Sequence, residues 1–296
     1  MSDVLHILDM LAWFPENIST YGAELDWMFA VIYWLSVAIF VLTFGIMLWF
    51  LVKYRYRPDR RGYNYHGNNI VEITWTILPT ILFVGIGLWS DSMWETTKYA
   101  KKVPVADVEI VVMGKQFGWY FMYPGADGKF GRNAYNDRTA REMMSATNPF
   151  GRDSVDPAGK DDFVMENQFK FPVNANVVVR GSTLDVLHSF FLPHARVKQD
   201  VIPGTWMNIW FNCFKTGKFE LACAELCGGG HYAMRAEYEV LSRTGYDAWL
   251  DKKNAEMIVL NGQATTAPAA DAPTSDTTSA AATQTAAPST SNAAKH

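Results

Sequence analysis

Lysine and arginine are missing from the first 26 positions, which hold Asp3, Asp9, Glu16, Glu24 and Asp26 instead. An amino terminus with no basic stretch ahead of its apolar run does not read as an ordinary secretory leader. Charge of either sign is missing again from Met28 to Val52. Cysteine is scarce, with only Cys213, Cys223 and Cys227 in the chain. An odd number with two clustered does not look like a disulfide framework. There is no Cys-x-x-Cys-His, so no c-type haem is attached here. A strong net charge is lacking too, and a formal charge of -4 over 296 residues argues against a nucleic-acid partner.

What is present is unevenly spread. Met28–Val52 reads MFAVIYWLSVAIFVLTFGIMLWFLV, and Ile73–Ser90 reads ITWTILPTILFVGIGLWS. A helix needs about 20 apolar residues to cross a bilayer, so the first run spans with some tilt and the second is near the lower limit. Pro79 is expected to kink the second. A buried helix of a soluble protein is the alternative for each, and two uncharged runs of this length argue against it. The expected hairpin covers residues 27–95, with spans at about 28–52 and 72–93. Its link carries Lys53, Arg55, Arg57, Arg60 and Arg61 against Asp59 alone. The positive-inside rule places such a link in the cytoplasm, and both ends of the chain outside. Trp27, Trp34, Trp49, Trp89 and Trp94 fall mostly near helix ends, where interfacial aromatics belong.

From about residue 104 to 260 the pattern is that of strands. VEIVVMG, GWYFMY, NVVVRG, MNIWFN and YEVLS are short, β-branched or aromatic, and bounded by Gly, Pro and Asn. Many short strands with turn signals imply a β-sandwich or Greek-key barrel. A polar stretch at about 125–162 reads as a long loop, and Tyr246 to about Ile258 as a helix with Trp249, Leu250 and Met257 on its apolar side. Residues 263–296 are rich in Ala, Thr, Ser and Pro and are expected to be disordered.

The densest chemistry lies in CAELCGGGHYAM, Cys223–Met234. Cys223-x3-Cys227 with His231 fits a zinc site by spacing. Met234 argues for copper instead, because a thioether is a soft ligand. Two thiolates four residues apart can bridge two copper ions, each then needing one imidazole and a weak axial ligand. The second imidazole has to come from DVLHSFFLPH, where His188 and His194 are the candidates. Gly228, Gly229 and Gly230 let the chain turn tightly enough to bring His231 back. The plainer readings are an external disulfide for Cys223 and Cys227, a core methionine at 234 and a surface histidine at 231. Cys213 reads as a small buried apolar residue on a strand.

CAELCGGGHYAM resembles the copper A loop of haem–copper oxidase subunit II, whose pattern is Cys-x-Glu-x-Cys-x3-His-x2-Met. The likeness covers most of residues 25–260, including DVLHSFFLP, KQDVIPG and VEITWTILPT in the right order. It implies a membrane-anchored all-β chain, a two-helix transmembrane hairpin followed by a cupredoxin-like Greek-key barrel or sandwich. It implies binuclear copper A held by His188, Cys223, Cys227, His231 and Met234, with the Glu225 backbone carbonyl on one copper. The Glu225 carboxylate would face a magnesium ion shared with the catalytic subunit. Asp185 and Asp200 would support the site by hydrogen bonds, or else are solvated turn residues. Glu72 would mark the mouth of a proton pathway; as an acid in a helix's first turn it also suits the helix dipole. The implied partners are oxidase subunit I and other oxidase subunits, membrane lipid, and a cytochrome c donor. The implied setting is a bacterial-type inner membrane with the copper domain outside. The function implied is relay of single electrons to a haem-containing partner that reduces oxygen to water, coupled to proton translocation.

One departure concerns the place where electrons come in. The family has Gln-Trp-Tyr-Trp there, and this chain has Gln116-Phe117-Gly118-Trp119. Phe117 and Trp119 are the candidates, and the loss of the leading tryptophan favours a cytochrome donor held in a complex over a freely diffusing one. Competing readings are a quinol oxidase subunit without copper, a copper-delivery module, and a copper A domain serving nitrous oxide or nitric oxide reduction. The ligand set argues against the first. The strand AEYEV directly after the loop argues against exchangeable delivery, and the hairpin argues against nitrous oxide reductase.

Overall fold

The structure is a computed structural model that describes residues 14–62 and 64–266. Two long helices come first, α1 at Gly22–Lys53 and α2 at Asn69–Lys98. At 1.5 Å per residue each is about 45 Å long, enough to cross a hydrocarbon core of ~30 Å. The most apolar stretch of each is left uncovered by the rest of the chain. Apolar surface of that extent is stable only in lipid or against other apolar helices. Both helices outrun their apolar runs because polar residues finish them. Asn68 caps α2, its side chain accepting from the N–H groups of Ile70 and Val71 at 3.0 and 3.3 Å. Arg60 Nη1 donates to the Lys53 carbonyl at 3.1 Å, serving the open carboxyl-terminal end of α1. Helix α2 continues through Pro79.

Ten strands follow: β1 Val108–Lys115, β2 Gly118–Tyr123, β3 Phe163–Glu166, β4 Gln168–Pro172, β5 Val177–Thr183, β6 His188–Leu192, β7 Val197–Val201, β8 Met207–Phe211, β9 Gly217–Cys223 and β10 Arg235–Leu241. They form two five-stranded sheets, ordered β3-β2-β1-β5-β8 and β4-β10-β9-β6-β7. Alternating residues of both sheets meet in one core, where Phe121 stacks on Phe169 at 4.5 Å and Trp119 meets Phe190 edge-on at 5.7 Å. This is the expected sandwich. The opposite face of β1 is buried as well, because Val111, Met113 and Met122 pack under Phe150 and half-buried Phe130, Tyr135 and Met144. The segment 125–162 supplies that cover without a strand of its own. Burial on both faces is why VEIVVMG is apolar almost throughout rather than alternating.

The hairpin is tied to the sandwich at one end. Ile18 is fully buried in the main core, its N–H donating to the His194 carbonyl and its own carbonyl accepting from Phe214, both at 2.9 Å. Ile18 and Ser19 therefore pack into the β domain ahead of α1. Arg196 grips the Asp26 carboxylate at 2.7 and 2.9 Å, and Lys98 Nζ donates to the Lys198 carbonyl at 2.7 Å. The start of α1 and the end of α2 thus meet the sandwich, and the basic link lies at the far end of the hairpin. Cys213 is fully buried after β8, bridged to Ser19, and burial pushes its thiol up to about 12. Helix α3, Arg243–Thr266, lays Trp249, Leu250 and Met257 against the core as expected. It extends past residue 263, and the expected tail otherwise lies outside the described residues from 267 on.

Candidate metal centre

The stretch Cys223–Met234 is the connection between β9 and β10. Its ends are pinned, since Ala222 pairs with Arg235 and the Cys223 N–H donates to the Met234 carbonyl at 3.1 Å. Its first residue is tied sideways, Ala224 N–H donating to the Ser189 carbonyl on β6 at 3.1 Å. Strand β6 begins at His188 and sets Phe190 opposite Cys223, so the imidazole arrives beside the thiols. Gly228 has φ +130°, a conformation that favours glycine. The turn it makes returns His231, whose N–H donates to the Gly228 carbonyl at 3.1 Å. Gly114 on β1 leaves room above, because a Cβ there would lie 3.1 Å from the His188 ring and 3.4 Å from Trp119.

Six donor atoms converge. Cys223 Sγ lies 3.9 Å from Cys227 Sγ, 3.8 Å from His188 Nδ1 and 3.2 Å from the Glu225 carbonyl oxygen. Cys227 Sγ lies 3.5 Å from His231 Nδ1 and 3.7 Å from Met234 Sδ. Both cysteines are free, their sulfurs well beyond the about 2.05 Å of a disulfide bond. Donors bonded to one ion at about 2.0–2.3 Å in tetrahedral array stand roughly 3.6 Å apart, and these separations match. A closed zinc site takes four ligands. It would leave the buried Met234 thioether and the Glu225 carbonyl unused. The soft sulfur donors suit copper instead.

The electrostatics favour an anionic sulfur at Cys223 and oppose one at Cys227. Burial opposes charge on Cys223, yet hydrogen bonding by His188 and the Ser189 and Glu225 backbone outweighs it and holds the thiol low, at about 6. Cys227 is pushed the other way by burial and by its neighbour's negative charge. One thiolate thus forms readily, and the second needs a cation beside it. For His188, burial disfavours charge, but Cys223 and Asp185 outweigh it and raise its value. Asp185 is held low against burial by the Gln116 N–H, by His188 and by the Val186 N–H.

The structure sorts the remaining candidates. Asp185 Oδ1 lies 2.9 Å from His188 Nε2, leaving Nδ1 for the metal side. Asp200 Oδ1 accepts from Ser189 Oγ at 2.7 Å, so it steadies the residue next to His188 rather than a ligand itself. His194 sits past the far end of β6 with its ring on Phe219, which removes it as the second imidazole. Phe117 is 43% exposed and lies on the glycine run, whereas Trp119 is fully buried with its ring against His188. Trp119 therefore lies inside the core behind Phe117, because β2 turns it inward. Glu72 lies in the first turn of α2, one helix length away from the sandwich. Gln116 was not singled out by the sequence, yet its Nε2 donates to the Cys227 carbonyl at 2.5 Å. Nothing in its spacing signals this.

Comparison with known proteins agrees. Residues 108–240 match the family model described as cytochrome c oxidase subunit II, periplasmic domain, and residues 8–93 match that of its transmembrane domain. The alternative cytochrome c oxidase subunit 2 of Bradyrhizobium diazoefficiens is 30% identical over 259 residues, covering 85% of this chain and 87% of that one. Cytochrome c oxidase subunit 2 of Cereibacter sphaeroides is 28% identical, covering 86% and 84%. The crystal structure of the periplasmic domain of cytochrome oxidase subunit II from Bradyrhizobium japonicum is 31% identical, covers 52% of this chain and 99% of that one, and has a TM-score of 0.38. The two family models together with the Bradyrhizobium diazoefficiens relative lead to one assignment: the chain belongs to the cytochrome c oxidase subunit II family, as a membrane-anchored subunit of a haem–copper oxidase.

Proposed function

We propose that this chain takes single electrons from a cytochrome donor at a binuclear copper A centre and passes them to a haem-containing partner subunit. The observation that carries this reading is the convergence of six donors, four of them side chains of one short connection, around two unbridged thiols. His188, Cys223, Cys227, His231, Met234 and the Glu225 carbonyl would hold the copper. Bound there, the copper pair supplies a one-electron centre whose charge is shared across both sulfurs.

The chain's own groups do the rest. Asp185 holds the His188 ring in one orientation, and the pinned ends of the loop hold Cys223 and Met234, so little has to rearrange when the charge changes. Met234 and His188 are buried and keep water from the sulfurs on the core side. Exposed Phe117, resting on Gly228 and Gly230, is the point of approach for a cytochrome c or a cytochrome held in a complex, with Trp119 behind it against His188. The Glu225 carboxylate is assigned to a magnesium ion at the border with the catalytic subunit. Glu72 is assigned to the opening of a proton pathway at the cytoplasmic side, oxygen reduction to the partner subunit, and the β domain and both termini to the outside of a bacterial inner membrane. Proton translocation accompanies the turnover of that complex.

The test is Cys223→Ser in the purified oxidase. Turnover with reduced cytochrome c should fall by more than about 100-fold, as expected when a ligand of the electron-accepting metal is lost. Haem content should be unchanged, and an artificial donor that reduces the partner's haem directly should still support oxygen uptake. Undiminished oxidation of cytochrome c would refute the relay.

A further inference from the structure

The turn between β1 and β2 consists of Gln116 and Phe117, and it touches the metal loop from outside. Gln116 Nε2 donates to the Cys227 carbonyl at 2.5 Å. The backbone N–H of the same residue donates to Asp185 Oδ2 at 2.7 Å, and Asp185 Oδ1 lies 2.9 Å from His188 Nε2. One residue thus reaches both halves of the donor set. Those halves come from distant parts of the chain, His188 from β6 and Cys227 from the β9–β10 connection. The fit is close, since a Cβ at Gly228 would stand 2.9 Å from Gln116 Nε2, and one at Gly230 would stand 2.4 Å from Phe117 Cδ2. The glycine run is therefore the seat of this turn.

We propose that Gln116 is a positioning residue of the metal centre: its carboxamide sets the Cys227 peptide, and so the Cys227 sulfur, while its backbone sets His188 through Asp185. The proposal rests on the copper reading above. A run of three glycines has little stiffness of its own, so the orientation of the adjacent Cys227 has to be imposed from outside. The Gln116 amide imposes it with a neutral donor, which adds no charge beside the sulfurs.

The experiment uses the purified oxidase with the full chain and two replacements. Gln116→Met keeps the length and removes the donor; Gln116→Glu keeps the shape and turns an acceptor toward the carbonyl. Three quantities are read: the rate of copper loss to a chelator, the electron paramagnetic resonance spectrum, and thermal unfolding of the metal-free chain. Both replacements should speed copper loss by about 10–100-fold, the usual effect of removing a group that orients a ligand. Both should also alter the hyperfine pattern, with metal-free unfolding close to native. A rate within about twofold of native, with an unchanged spectrum, overturns the proposal. A drop in metal-free stability that accounts for the whole change also overturns it, because the role is then only structural. If the native sample itself lacks a two-copper spectrum, the copper reading fails first and takes this proposal with it.

Discussion

Asp162 closes the long segment that covers the outer face of β1. Its Oδ2 accepts from the Gly131 N–H at 3.0 Å, while Oδ1 is buried with no hydrogen-bond partner. Burial is the chief reason its carboxyl is pushed from 3.8 up to about 6, against the pull of the Gly131 N–H and Arg152. A folded value above the unfolded one means the folded chain holds this proton more tightly. The stabilisation is full below about 4 and is lost as pH rises through about 6. The metal-free chain should therefore be less stable at pH 7 than at pH 4 on this account, by at most about 3 kcal/mol. Asp162→Asn should flatten that part of the profile, measured by thermal unfolding across the range; a profile identical to native contradicts the assignment. The residues of the metal loop were legible one by one because each donor type is chemically rare there. Gln116, Gly114 and Ser189 were not, since their parts in the site come from contacts between segments far apart in sequence.

At the scale of elements, the β9–β10 connection and the β1–β2 turn act as two fitted surfaces. Gly230→Ala would place a Cβ 2.4 Å from the Phe117 ring, whereas a Cβ at Gly229 meets nothing within 4 Å. Gly230→Ala should cost roughly 1–3 kcal/mol of overpacking. Gly229→Ala should be close to neutral, and adding Phe117→Ala to Gly230→Ala should recover part of the loss. Unfolding of the native chain, both glycine variants, Phe117→Ala alone and the double variant measures this, and strict additivity of Gly230→Ala with Phe117→Ala would show that the two surfaces do not couple. Both membrane helices were legible, because an uncharged run of this length has few other uses. Their ends were not, since Asn68, Glu24 and Arg60 extend them through caps and end charges rather than apolar pattern. Strands such as VEIVVMG announce themselves; VKQDV and GKFELAC do not. Both carry exposed polar residues, and β7 is an edge strand with one neighbour.

For the whole molecule, the arrangement ties the β domain to a membrane hairpin at one end. Ile18 enters the core of the sandwich, Arg196 holds Asp26, and Lys98 reaches the backbone of β7. A centre held this way keeps a set height above the bilayer, which suits transfer to a partner embedded in it. The central claim is that the loop builds one centre from two copper ions. The most direct measurement is copper content together with electron paramagnetic resonance of the full chain, purified in detergent and loaded with copper. The account expects two coppers per chain and one unpaired electron whose hyperfine coupling is spread over both nuclei. One copper per chain, or coupling to a single nucleus, would contradict it.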